Sequence, residues 1–488
     1  MIELLAILLL LGGLAYRLHV GLVALCGISA LTSAFFFITF LTRAALLRGV
    51  LLGATLCLGG LVVKFHETKT AQEFFAVRDI SGVVQSVDRR LDKTVLVVKD
   101  SKYKKSVQAT VRGQAAALPG DTVDVQGTVS RPEDFVTDTG RLFGYDGYLQ
   151  SKGIAGIVSP ATVIPIAAGN PSLVRIATKL RFSIAALYSK HIAFPVDGIV
   201  SGMLVGYKGS IPEEIETLFK TTGVLHVLVL SGENITLLAI FLSIILKPLP
   251  FHIRSALTGF GIVLIVLVSG AGVAAVRSGI MGIISIGGGM AKRGYVPLRA
   301  LTISIALFFF YSPETVYVDP GFHLSVLATF FMVAMVSKVE PLFNFLPEKY
   351  GIRSLVVLAI AMPLFMLPHT MYFSGLQPVA APFANIVMNW GVPALMLLGA
   401  AVLAVSWIAP AAKIMGVAAS FIGNCIVGIL KVLDKLPQLH APPLSGRGVL
   451  AIYSLLLGIV FRKELMSFWR EQRTAFLQRS NSSGPESR

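Results

Sequence analysis

The sequence is poor in charge: 14% of its 488 residues are Asp, Glu, Lys or Arg, whereas 55% are hydrophobic. A soluble domain carries about a quarter charged residues, so this composition excludes a water-soluble protein, a disordered chain and a coiled coil. Lys and Arg outnumber Asp and Glu by 42 to 26, which gives a net charge of +16. In a membrane protein such an excess marks cytoplasmic loops, so the position of the charges matters.

Metal and nucleotide motifs are also lacking. The three cysteines lie far apart in apolar runs and support neither a disulfide framework nor a metal cluster. The eight histidines include no H-x-H pair and no H-E-x-x-H motif, and no G-x-x-x-x-G-K-[ST] loop occurs. We therefore expect no metal ion, no cofactor and no enzymatic activity, and a separate motor would have to drive any transport.

A polar segment interrupts the apolar chain. Residues 66–165 hold 25 of the 68 charged side chains, as 13 basic and 12 acidic residues. Short segments with period-2 alternation, such as "SGVVQSV" and "TVLVVK", are separated by turn residues and predict a small β-barrel of about five strands. An OB-type barrel fits this strand count, although an SH3-like barrel would give a similar pattern.

The barrel carries a basic run that can be read in two ways. It could follow a nucleic-acid backbone, or it could simply form solvated loops, because the segment is nearly neutral and poor in aromatic residues for base stacking. The candidate DNA-contacting residues are Arg89, Arg90, Lys93, Lys102, Lys104 and Lys105.

Apolar runs on both sides of this segment are long enough to cross a membrane, which takes about 20 residues. Three lie in 1–65, and the first reads as a retained anchor rather than a signal peptide. Nine follow, near 224–246, 255–275, 272–290, 298–312, 321–337, 354–373, 383–406, 411–430 and 448–461. Basic residues fall in alternate loops, which places both termini in the cytoplasm and the barrel outside.

The sequence thus predicts a polytopic α-helical membrane protein of about 12 transmembrane helices, with an inserted extracytoplasmic, OB-like β-barrel. Within 171–222 we expect an amphipathic interfacial helix, a short apolar segment that is re-entrant or buried, and a helix that starts behind Pro212. The domain of 223–461 would form the membrane core, and the basic tail 462–488 would rest on anionic lipid.

The residues Ser231-Gly232-Glu233-Asn234 interrupt the predicted span 224–246 about 10 residues from its start. A Glu in hydrocarbon costs about 2.5 kcal/mol or more, so Glu233 must face protein, water or a cation. The break resembles the discontinuous helices with which transporters expose backbone groups to a solute. A kink that only packs the bundle is an equally good interpretation.

Arg277 is a second ionisable residue within an apolar run. It could form an ion pair with Asp319 or Glu233, or it could offer a guanidinium to phosphate in a wet cavity. His323 and Ser325 follow Asp319 in the next span. Three further polar residues, His226, Asn385 and Asn389, read more simply as satisfied interior groups.

These segments, in this order, resemble the ComEC family of bacterial competence proteins. "GMLVGYKGSIPEEIETLFKTTGVLHVLVLSGENITLL" is similar to its competence signature, and "VRSGIMGII" and "DPGFHLSVLATF" are similar to two later motifs. The matching positions are Thr222, Gly223, His226, Ser231, Gly232, Asn234, Arg277, Asp319, Pro320, Gly321, Phe322 and Ser325. Glu233 departs from the pattern, and His323 stands where the family commonly has Gln.

The resemblance implies a channel that passes single-stranded DNA across the bacterial cytoplasmic membrane during natural transformation. It also implies a separate DNA receptor, nuclease and cytoplasmic motor, because the sequence lacks the His/Asp cluster of the metallo-β-lactamase-like domain that many relatives carry. Two other functions remain open. One is a small-solute or lipid transporter that couples to protons through Glu233, and the other is a scaffold whose outer barrel binds envelope partners.

Overall fold

The computed structural model describes residues 77–137, 140–228, 230–348, 351–373, 375–440 and 444–462, with scattered positions in 55–75 and 466–474. The three predicted spans in 1–65 and nearly all of the tail 462–488 therefore lie outside the described residues.

The polar segment folds into a six-stranded sheet with the order β7-β3-β2-β1-β4-β8. Its strands are β1 (Arg78–Arg89), β2 (Lys93–Asp100), β3 (Ser106–Arg112), β4 (Thr122–Thr128), β7 (Ile154–Val158) and β8 (Thr162–Ala167). A hairpin of β5 (Phe135–Val136) and β6 (Leu142–Phe143) and the helix α1 (Tyr145–Ser151) lie between β4 and β7. The period-2 prediction is confirmed, because burial alternates along β2 with Leu96 and Val98 fully enclosed.

The prediction of a closed five-stranded barrel is wrong. The unpredicted strand β8 pairs with β4 and occupies the edge that β7 would need for closure. A backbone bridge between Ser130 and Ile157 is one contact across this gap. The sheet therefore stays open.

Three helices connect the sheet to the membrane core: α2 (Leu173–His191), α3 (Val196–Val205) and α4 (Glu213–Thr221). Helices α2 and α4 are amphipathic and α4 starts behind Pro212, while the interfacial position expected of this region stays a prediction. Every residue of α3 is buried, which favours the buried over the re-entrant interpretation of this short segment. Its close packing uses glycines of two long helices, because a side chain on Gly399 or Gly423 would overlap residues of α3.

The remaining chain is helical. The helices are α5 (Gly232–Ile245), α6 (Phe251–Val268), α7 (Val273–Met290), α8 (Pro297–Tyr311), α9 (Pro313–Val318), α10 (Pro320–Phe330), α11 (Val336–Val339), α12 (Ile352–Phe373), α13 (Ala381–Ala404), α14 (Ala409–Leu433) and α15 (Gly446–Val460). Helix α10 continues through a π-helical turn and α11 to Phe343. Short strands β9 (Leu376–Pro378) and β10 (Gln438–His440) pair beside α12.

Six helical segments among the described residues are long and apolar enough to cross a membrane: α6, α7, the α10–α11 unit, α12, α13 and α14. The chain is therefore a helical membrane protein, while the total of twelve spans stays a prediction. The predicted span 224–246 is not one helix. It consists of a 3₁₀ turn (Leu225–Leu228) and the 14-residue α5, because Ser231 breaks the helix and starts a new one.

Candidate functional site

The break before α5 brings a helix start against a buried arginine. The Ser231 hydroxyl caps α5 by accepting a hydrogen bond from Asn234 N at 3.2 Å. A side chain on Gly232 would overlap Ser278 Oγ and lie 3.2 Å from Arg277 Nη2, so glycine lets α5 begin directly against α7. The break thus forms part of a three-dimensional site.

Arg277 joins α7 to α10 through uncharged partners. Its side chain on α7 is 4% exposed. The guanidinium donates to Ser325 Oγ on α10 at 2.9 Å, to Met281 Sδ at 3.0 Å and to Ser278 Oγ at 3.3 Å. Removing an ion from water costs several kcal/mol unless an opposite charge compensates it. None of these three partners carries that charge.

The predicted ion pairs of Arg277 are wrong. Among the described residues, no carboxylate lies within ion-pair distance of its guanidinium. Asp319 instead caps α10 by accepting from Phe322 N at 3.0 Å, which a short acidic side chain at a helix start does well. Glu233 lies exposed in the first turn of α5, where the helix dipole favours an anion without any basic partner.

The site is electropositive for a second reason. Gly232 is the first residue of α5, so the start of this helix faces Arg277, whereas Arg277 and Ser325 lie beyond the first turns of α7 and α10. A helix N-terminus carries roughly half a positive charge, which acts within about its first turn. The carboxylates of Glu233 and Asp319, at the starts of α5 and α10, offset part of this positive potential. Gly232, Arg277, Ser278 and Ser325 together form an arrangement that can bind an anion from three helices.

The charge of Arg277 also affects Tyr295 in the loop after α7. Burial raises the pKa of the Tyr295 phenol above its ordinary value, and the Arg277 charge acts in the opposite direction. Tyr295 is 40% exposed, so the electrostatic influence of Arg277 reaches a residue at the surface of the bundle.

The other predicted residues of the signature lie apart from Arg277 and support the backbone. Thr222 is fully buried and donates to Leu218 O at 2.6 Å, which closes the end of α4. Gly223 follows with φ +78, a left-handed conformation suited to glycine. His226 is exposed in the 3₁₀ turn. Asn234 is 2% exposed and donates to Met203 O at 3.2 Å, so it joins α5 to α3.

His323 belongs to a separate aromatic cluster. Its Nε2 donates to Val316 O at 2.7 Å, and its ring lies 5.2 Å from that of His369 on α12. Sequence reasoning missed His369, which is 7% exposed with an unsatisfied Nε2. Gly321 leaves room for the Asp319 cap, since an added side chain would lie 3.0 Å from Asp319 Oδ1.

The candidate DNA-contacting residues of the sheet do not form one surface. Arg89, Arg90 and Lys93 lie at the β1–β2 turn, whereas Lys102, Lys104 and Lys105 lie at the β2–β3 turn. The eight residues of β2 separate the two groups by about 26 Å. The first group faces the helices: Arg89 lies 4.2 Å above the Phe182 ring, and Arg90 approaches Glu216 at 4.0 Å.

Sequence reasoning also missed Ser278, Met281 and Tyr295 around Arg277. Helical spacing could have indicated Met281, which is four residues from Arg277 and therefore on the same face. Ser278 meets Gly232 across two helices, and Tyr295 approaches through a loop, so neither has a local signal. Among the described residues, His, Cys, Asp and Glu form no group of three or more that could hold a metal ion.

Comparison with known proteins identifies the family of the chain. A family model described as "Competence protein" matches residues 203–466, which include Gly232, Arg277 and Ser325. The chain belongs to the competence protein family. "ComE operon protein 3" of Bacillus subtilis (strain 168) is 22% identical over 273 residues, which make up 55% of this chain. The chain thus spans about a third of that relative, 34% of its length. No solved structure matches.

Proposed function

We propose that this member of the competence family takes part in DNA uptake and passes a single strand of DNA across the cytoplasmic membrane. The observation that carries the proposal is the buried Arg277, which lies against the N-terminus of α5, donates only to neutral groups and has no acidic partner among the described residues. A phosphate on a passing strand would supply the missing negative charge. Guanidinium groups suit this role because they bind phosphate through several hydrogen bonds.

The site would be a conduit and would carry out no chemical step. Ser278 and Ser325 hold the guanidinium, and the start of α5 adds positive potential without a mobile side chain. Strand degradation and pulling belong in this proposal to a separate nuclease and motor, and a separate receptor delivers the DNA. In this proposal the sheet lies outside the cell and both termini lie in the cytoplasm, which the alternation of basic loops supports.

A reconstitution experiment tests this function. Purified protein in liposomes loaded with a single-strand-binding protein should protect a fluorescent oligonucleotide from external nuclease, because the trapped strand can no longer leave. Empty liposomes and the matching duplex serve as controls. Equal protection with and without the protein would refute the proposal.

Glu233→Gln separates the conduit from a proton-coupled carrier in the same assay. Glu233 does not contact Arg277, so removal of its charge should leave strand entry unchanged or increase it by reducing repulsion of phosphate. A carrier that transports protons through this carboxylate would instead lose a pH-dependent solute flux. Loss of DNA entry in this variant would contradict the role that we assign to the site.

A further inference from the structure

The aromatic hairpin, defined here as the paired strands β5 and β6, presents exposed apolar side chains that we call its tip. Phe135 pairs with Phe143 and Val136 pairs with Leu142 across its two short strands. The side chains at the tip are unusually exposed for apolar residues: 49% for Phe135, 65% for Val136 and 72% for Leu142. Contiguous exposed apolar groups of this kind mark a contact with a partner or with a membrane.

Packed rings support this tip from behind. The Phe135 ring lies 5.4 Å from Phe143 and 5.8 Å from Tyr145, and Phe143 lies 5.7 Å from Tyr148 on α1. These separations are those of favourable aromatic pairs. The hairpin is therefore held to α1, and its tip has a defined direction relative to the helix.

Helix α1 and the hairpin are docked on the ends of membrane-spanning helices. The guanidinium of Arg141 donates to Tyr372 O at 2.5 Å, one residue before α12 ends. Ser312 and Thr315 of the α9 region both donate to Ser151 O at the end of α1, at 3.2 and 3.1 Å. The next long span begins at Pro320, directly after α9.

These contacts place the tip at the level of the membrane surface. The α10–α11 unit and α12 are long enough to span the bilayer, so the ends of α10 and α12 that meet here lie at a membrane–water interface. Leu142 follows Arg141 directly, so it lies within a side-chain length of that boundary. Tyr311 and Tyr372, at the same end, are 84% and 42% exposed, as expected of residues in an interfacial aromatic belt.

The charges around the tip decide between lipid and nucleic acid. Rings of this kind could stack on bases, but the exposed Glu133 and Asp134 directly precede Phe135 and would repel a polyanion. Arg131, the nearest exposed cation, already pairs with Asp146 at 2.8 Å. We propose that the aromatic hairpin inserts Phe135, Val136 and Leu142 into the lipid leaflet beside α10 and α12, anchoring the sheet to the bilayer.

The anchor would act alongside a separate protein contact. On the other side of the sheet, Arg175 of α2 pairs with Asp121 at 2.5 Å, and Arg181 donates to Val87 O at 2.9 Å. A sheet held at α2 by protein and at the hairpin by lipid cannot rotate freely over the helices. This inference concerns lipid contact alone, so it stands or falls independently of DNA passage.

Site-specific fluorescence on the full chain tests the anchor. Leu142→Cys, in a background with Cys26, Cys57 and Cys425 replaced by Ser, is labelled with NBD and reconstituted into phosphatidylethanolamine–phosphatidylglycerol vesicles. Insertion predicts a blue-shifted emission, quenching by doxyl-labelled lipid and protection from aqueous iodide. The matched control is Val83→Cys on β1, an exposed apolar residue among polar neighbours that should be quenched by iodide only.

Three results would overturn the inference. Quenching of position 142 by iodide but not by doxyl lipid would show that the tip lies in water. Protection of that position from iodide only after addition of an oligo-dT strand would show that the hairpin binds DNA instead of lipid. Equal doxyl quenching at positions 83 and 142 would also contradict it, because the contact would then not be specific to the hairpin.

Discussion

Replacement of Arg277 by Gln is the change that discriminates most sharply between a conducting and a structural role. Gln keeps a hydrogen-bond donor for Ser325 or Ser278 but removes the positive charge. If Arg277 were half of a buried ion pair, loss of one partner would destabilise the protein by about 3–5 kcal/mol. The structure shows neutral partners, so we expect no such loss of stability.

The expected effect is on DNA passage. A hydrogen bond to a charged group contributes about 1.5–3 kcal/mol, and every 1.4 kcal/mol corresponds to a factor of ten. Loss of one guanidinium–phosphate contact at the rate-limiting position should therefore slow strand entry roughly 10- to 150-fold. The rate of strand entry in Arg277→Lys should fall between those of the wild type and Arg277→Gln, because an ammonium keeps the charge but not the planar geometry.

The assay combines the liposome protection measurement with thermal unfolding of the same preparations in detergent. Arg254→Gln is the matched control, since it removes an arginine from α6, the helix next to α7. The Arg254 guanidinium lies 5.7 Å from the exposed Phe251 ring and outside the site. Strand entry at the parental rate in Arg277→Gln would refute our reasoning. A large fall in Tm would also refute it, because that result indicates a structural cation.

Two further predictions concern the scaffold. Gly223→Ala should destabilise the protein by about 1–2 kcal/mol in thermal unfolding, since its φ is +78 and the added methyl would lie 2.7 Å from Ala381 Cβ. The control is Gly287→Ala, which adds a methyl in open helical space and should be neutral or stabilising. Equal effects of the two substitutions on stability would contradict this prediction. Burial opposes ionisation of Asp121, but hydrogen bonds from Gly169, Arg175 and Leu118 outweigh it and hold the pKa of this carboxyl below its ordinary value. Its stabilising contribution is therefore complete above the unfolded pKa of about 3.9 and is lost as pH falls through the lower folded pKa. The Tm of the wild type should fall more steeply in this acidic range than that of Asp121→Asn, and parallel curves would rule this contribution out.

Much of the helical organisation could be predicted from local sequence. The predicted spans 272–290 and 298–312 match α7 and α8 to within one residue, because a long apolar run flanked by polar turns has few alternative structures. That α3 does not span was also indicated, since its ten residues are too few to cross a bilayer, but its burial was only one of two alternatives. The open form of the sheet was not predicted. Strand β8 contains a proline and exposes most of its side chains, so it lacks the alternation that identified the other strands.

The sequence by itself determined that this is a helical membrane protein with a polar insert and a break at Ser231, because hydrophobicity, period and helix capping are local properties of the chain. It also singled out Arg277 as a buried cation. Only the tertiary structure decided what surrounds that cation, since Gly232, Ser278 and Ser325 come from three helices. An ion pair and an anion site can share the same one-dimensional pattern, and they differ only in which atoms the packed helices bring within a few ångströms.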